Sequence, residues 1–153
     1  MTAVPNFSRL LTLGDIKPPP PPPTLDYPGV ITKFEKGASK GKSTPYVRFF
    51  ANITGWPESF DDQDTMARIN IVGRSLDVDM WDTDNARWRI VKFLTECGVP
   101  SDTPYGDEAF SLAVGAPVLI LTGYRMSRPR HVSQEPEQIL QGVGLIGLAQ
   151  TGA

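Results

Sequence analysis

The side chains able to carry chemistry in this chain are few, and most suit holding a ligand rather than transforming one. There is one histidine, His131, and one cysteine, Cys97. A Cys/His zinc site would have to be completed by carboxylates or by a second chain. A Cys97/His131 nucleophile pair is the covalent option, but Cys97 falls on the apolar face of a helical pattern, where thiols are usually inert. No phosphate-cradling glycine loop and no GxSxG turn occurs. The carboxylates Asp77, Asp79, Asp82 and Asp84 offer a further chemistry, a Mg²⁺ site cutting phosphodiesters. Their spacing fits an acidic strand end and helix cap equally well. The expectation is a protein without catalytic activity and without a cofactor.

Another group of residues points to binding. The run Tyr46 to Ile53 alternates: Val47, Phe49, Ala51 and Ile53 take one side, and Tyr46, Arg48, Phe50 and Asn52 take the other. The first set is a core face. The second mixes rings with a cation and an amide, which a purely structural strand has no need to display. A third strand over Ala67 to Arg74, possible as far as Met80, would repeat the pattern, with Ile69 and Ile71 inward and Arg68 and Arg74 outward. Rings stack on bases and cations neutralise phosphates, so such a surface suits a single-stranded nucleic acid. The alternative for Phe50 is burial through a bulge, and for Tyr46 packing under the preceding loop. Trp56 reads as a seal at a strand end, Trp81 and Trp88 as packing residues, and His131 as a surface side chain.

Charge is unevenly spread. The net value is only −2, yet Lys33, Lys36, Lys40 and Lys42 face a single acid, Glu35, and Arg125, Arg128 and Arg130 face none. Glu58, Asp61, Asp62 and Asp64 form one acidic block, and Asp77 to Asp84 holds another. Distribution, rather than the sum, decides which surface meets a polyanion.

The elements that would position these residues follow from pattern. Residues 1–24 form an N-terminal arm whose prolines, Pro18 to Pro23, impose an extended polyproline rod. The arm reads first as a mobile spacer, and its apolar patch, Phe7 to Leu13, offers a docking segment for this domain or for another chain, a protein partner or a second copy. Residues 25–153 form the domain. A first strand, Tyr27 to Lys36, leads through a Gly/Ser/Lys loop into the strand from Tyr46, and Gly73 marks a bulge or corner in the third. A helix capped by Asp82 or Thr83 carries Ile90, Val91, Leu94 and Cys97 inward and ends at Gly98 and Pro100. Strands follow over Ala116 to Tyr124 and Leu140 to Ala149, the last so rich in glycine that it would need neighbours on both sides. Three strands, one helix and two strands is the layout of a five-stranded Greek-key OB-fold barrel. In that fold the ligand lies across strands two and three, between the first hairpin loop and the loop joining strands four and five. Lys33, Lys40, Lys42 and Arg125, Arg128, Arg130 would border such a groove.

The length suits one such domain, and no apolar run reaches the roughly 20 residues of a membrane helix. The N-terminus lacks a secretory layout, so a cytoplasmic protein without membrane contact is expected.

The segments "YPGVITKFEKG", "ASKGKSTP", "YVRFFANITGWPE", "WRIVKFLTECGVP" and "LAVGAPVLILTGYRMS" together resemble OB-fold single-stranded DNA-binding proteins of tailed bacteriophages. The resemblance covers about residues 25–150. It implies sequence-tolerant binding of single strands in replication, recombination or repair, without a cofactor, with Lys40, Lys42, Tyr46, Arg48 and Phe50 on the groove. The uncharged end "LAQTGA" departs from the acidic tail common in that family, and the polyproline arm is not a family feature. A rival reading is a protein-interaction or virion-associated module on the same barrel, with the acidic blocks as contact surfaces.

Overall fold

The computed structural model describes residues 22–61, 63–126 and 138–148. The expectations for residues 1–21 and for Arg128, Arg130 and His131 lie outside them. The elements run β1 (Tyr27–Ala38), β2 (Pro45–Ile53), α1 (Gln63–Ile69), β3 (Ser75–Trp81), α2 (Arg87–Glu96), α3 (Asp107–Leu112), β4 (Pro117–Met126) and β5 (Gln138–Gly147). The protein is mainly β, with five antiparallel strands in one sheet of order β3-β2-β1-β4-β5. Among the described residues no helix is long and apolar enough to cross a membrane.

The alternation of β2 organises the core. Val47, Phe49, Ala51 and Ile53 are all buried. Phe49 meets Phe93 of α2 at 5.1 Å between ring centroids, Phe110 of α3 at 6.0 Å and Phe34 of β1 at 6.4 Å. Such tilted and edge-on contacts are favoured by the ring quadrupoles. A register shift in β1 between Ile31 and Lys33 leaves Thr32 unpaired. The extra residue lets Ile31 and Phe34 both turn inward while Lys33 and Glu35 point out.

The third strand lies later in the chain than its pattern suggested. Residues from Gln63 form α1, because Met66 and Ile69 are three apart and both buried, a helical spacing. Asn70, at φ 60°, ends that helix in the left-handed region. Ile71 is buried from the following turn, and Gly73, at φ 91°, sits in that turn rather than in a bulge. The strand itself is Ser-Leu-Asp-Val-Asp-Met-Trp, with Leu76 and Val78 buried.

Among the described residues three helices, not one, accompany the strands. The start of α2 is not side-chain capped: the carbonyl of Thr83 accepts the N–H groups of Ala86 and Arg87. Its buried stripe is Ile90, Phe93, Leu94 and Cys97, whereas Val91 is 46% exposed. Phe93 was hidden by reading Val91 as the inward position. The expected stop holds, with Gly98 at φ 89° and Pro100 beyond it.

Among the described residues the strand β5 pairs with β4 alone, so it has one hydrogen-bonded neighbour there and not two. Its outer edge approaches β3 at Gly142. A Cβ there would lie 2.9 Å from Val78 Cγ2 and 3.1 Å from the Asp77 carbonyl oxygen, so only glycine lets the edges touch. The described end of the N-terminal arm also lies on the sheet. Tyr124 donates its hydroxyl to the Pro22 carbonyl, Tyr27 to that of Pro23 at 2.6 Å, and Thr122 to that of Leu25 at 2.6 Å. Burial pushes the Tyr27 hydroxyl up to about 12, with Tyr124 adding to the shift and Arg74 opposing it.

Replacing Phe49 by Ala should remove about 3–5 kcal/mol of stability, read as a lower urea midpoint. A loss below about 1 kcal/mol would mean that the phenylalanine cluster does not hold β2 in place.

Candidate functional site

The outward side of β2 faces solvent between β1 and β3, and the register defines its neighbours. Tyr46 stands opposite Trp81, Arg48 opposite Asp79, and Phe50 opposite Asp77. On the other side Phe50 stands opposite Lys33, Arg48 opposite Glu35, and Tyr46 opposite Gly37. The missed partners in β3 were readable from the alternation of Asp77, Asp79 and Trp81 with Leu76, Val78 and Met80.

The rings are partly exposed and dressed by cations. Lys33 Nζ lies 4.4 Å from the centroid of Phe50, and the Arg48 guanidinium lies 5.3 Å from that of Tyr46. Tyr46 also meets Trp81 edge-on at 6.1 Å. Tyr46 and Trp81 thus form a cross-strand ring pair, and Phe50 lies on the same side of β2 beyond Arg48. Trp81 is 47% exposed and Trp88 59%, so neither is the packing residue expected. Trp56 does pack partly on the core, and its indole N–H donates to Gln63 Oε1.

Charge on this face is mixed. Arg48 Nε lies 2.5 Å from Asp79 Oδ1 and 3.4 Å from Asp77 Oδ2. The hydrogen bond to Asp79 raises the guanidinium's already high pKa. A cross-strand pair of this kind adds about 0.2–1 kcal/mol to pairing and offsets the cation. Lys33 lies 3.4 Å from Glu35, and Lys36 lies 2.6 Å from Asp107. Among the described residues Lys40, Lys42, Arg74, Arg89, Lys92 and Arg125 make no ion pair.

The predicted residues are only partly brought together. Lys33, Tyr46, Arg48 and Phe50 share the face. Lys40 and Lys42 project from the hairpin loop, which is held by the Ser39 N–H on the Thr44 carbonyl at 2.9 Å and the Thr44 N–H on Ser39 Oγ at 3.0 Å. Arg125 is on β4 rather than in a loop, and it borders a hollow of about 370 Å³ beside Asp77 and Asp79. Arg68 does not lie on a strand beside β2; it belongs to α1. Arg74 precedes β3 in the turn, where its carbonyl accepts the Ile53 N–H, and it lies outside the Asp77/Asp79/Trp81 alternation.

The four acids proposed for a metal site separate into two arginine clusters. Asp77 and Asp79 serve Arg48, while Asp82 Oδ1 accepts from Arg87 at 2.8 Å and from Tyr105 at 2.7 Å, and Asp84 pairs with Arg87. Burial pushes the Asp82 carboxyl up, but the hydrogen bonds from Arg87 and Tyr105 outweigh it and hold the group below its usual range. Among the described residues no three metal-ligating side chains converge.

A second concavity, of about 360 Å³, opens between β3, α2 and β5. Trp81, Trp88, Arg89, Lys92, Val143 and Ile146 lie on its walls. Sequence reasoning missed it because helix and strand spacing do not reveal which faces a sheet leaves uncovered.

No family model matches this chain, and no curated protein matches it.

Cys97 follows α2 and is buried, as its place in the apolar stripe required. Burial, with Glu96 nearby, pushes its thiol up to about 12. The reactive thiolate is therefore scarce in the folded protein at neutral pH. Iodoacetamide at pH 8 should label Cys97 slowly in the native state and readily in urea. Equal rates in the two states would contradict its burial.

Proposed function

We propose that this chain is a non-catalytic, sequence-tolerant single-stranded DNA-binding protein, akin to those of tailed bacteriophages and acting in DNA replication, recombination or repair. The observation that carries this reading is the partly exposed group of rings Phe50, Tyr46 and Trp81, set beside Lys33 on adjoining strands. Each base stacked on such a ring contributes about 1–3 kcal/mol without regard to its identity. Lys40 and Lys42 on the hairpin, and Arg125 of β4 across the hollow it shares with Asp77 and Asp79, then supply phosphate contacts. The strand order supports an OB-type Greek-key barrel: opening such a barrel between its third and fifth strands yields β3-β2-β1-β4-β5, with its free edges in contact at Gly142. On this reading the N-terminal arm is available for a protein partner or a second copy.

A second reading is a protein-interaction or virion-associated module on the same barrel. It is favoured by Asp77 and Asp79, which neutralise Arg48 in the middle of the face.

Titration with labelled oligo(dT) decides between them. The expected result is tryptophan quenching and an affinity that falls with salt, with a slope of about −0.7 per phosphate contacted. Asp77→Asn with Asp79→Asn should free Arg48 and tighten binding several-fold at low salt, while costing no more than about 1 kcal/mol of stability. Absence of binding at low salt by both the native chain and this variant would remove the DNA reading.

A further inference from the structure

We propose that the cleft between β3, α2 and β5 is a second nucleotide subsite, into which a single strand crossing the β1–β2–β3 face continues. The inference rests on the DNA-binding reading and extends its path.

Trp81 joins the two regions. It belongs to the ring pair on the face, edge-on to Tyr46, and it also forms part of the cleft wall. Trp88 stands on the first turn of α2, and the core has no use for it, since Ile90, Phe93 and Leu94 fill the helix's buried side. Val143, 55% exposed, and Ile146, 37% exposed, complete an apolar surface around the same hollow. Single exposed apolar side chains are ordinary, but a cluster around one concavity marks a binding site. Its volume is within the range of ligand clefts, roughly 300–1,000 Å³.

The charges select the ligand. Two acids border the cleft: Asp79 is paired with Arg48, whereas Glu96 accepts the Gly147 N–H at 3.3 Å through Oε1 and keeps its charge at the far end of α2's wall, a helical turn beyond Lys92. Two cations border it as well. Lys92 lies one helical turn beyond Trp88, and the Arg89 guanidinium is 5.3 Å from the Trp88 ring centroid. Among the described residues neither makes an ion pair. Exposed indoles beside unpaired cations complement a ligand that is both planar and anionic. A nucleotide of a single strand has both properties, with its base on Trp88 and its phosphate between Arg89 and Lys92.

The test uses the full chain and oligo(dT) of increasing length, followed by anisotropy of a labelled strand. Short strands that occupy only the face should bind the native protein and Trp88→Ala alike. Longer strands should gain affinity on the native protein, and Trp88→Ala should forfeit about 5- to 150-fold of it, the equivalent of one stacked base. Arg89→Gln with Lys92→Gln should lower the salt slope for long strands by about 1.4, two phosphates' worth. If both variants bind every length as the native protein does, the cleft is not a subsite and the face reading stands. If the native protein binds no strand at low salt, the face reading fails and this inference fails with it. A concentration-dependent dimer abolished by Trp88→Ala would instead assign the cleft to a second copy of the chain.

Discussion

The register of β2 is the constraint on which the remaining structure depends. Side chains of a strand alternate with period two, so a slip of one residue would turn Phe49 to solvent and Arg48 into the core. Phe49 is held by rings from β1, α2 and α3 at once, and no other position of β2 has that many aromatic partners. Fixing Phe49 inward fixes Tyr46, Arg48 and Phe50 outward. It also sets them opposite Trp81, Asp79 and Asp77 on one side and Lys33 and Glu35 on the other. The bulge in β1 serves the same end, since without it Phe34 and Ile31 would face opposite sides.

That outward surface combines two tendencies. Its rings offer planar faces to a ligand, while its central cation is already held by carboxylates at 2.5 and 3.4 Å. On the proposed reading stacking therefore supplies the contact in the middle of the groove, and phosphate neutralisation falls to its margins, at Lys40, Lys42 and Arg125. Such a division limits how much binding depends on base identity, because ring stacking accepts every base.

Much of the strand pattern was legible in the sequence, and where it was not the reasons are physical. The β2 alternation was unambiguous because one face is fully buried and the other is not. The end of α2 was clear because Gly98 and Pro100 each restrict the backbone in their own way. The misplacement of β3 came from Ile69 and Ile71, whose spacing of two looks like a strand. In the fold one ends α1 and the other lies beyond the left-handed Asn70. That error carried Arg68 and Arg74 onto a surface where the strand order places Asp77 and Asp79. The exposed tryptophans were misjudged for another reason. A large apolar side chain is usually core, and only tertiary packing shows that Phe93, not Trp88, fills the space under α2.

The most direct test of the central claim is an amide chemical-shift map of the ¹⁵N-labelled protein on titration with oligo(dT). Strand binding on the β1–β2–β3 face predicts the largest changes at Lys33, Tyr46 to Phe50 and Asp77 to Trp81, with little change at the buried β4 positions Val118 and Ile120. Changes confined to the opposite end of the sheet, or none across β2 and β3 at saturating strand, would contradict it.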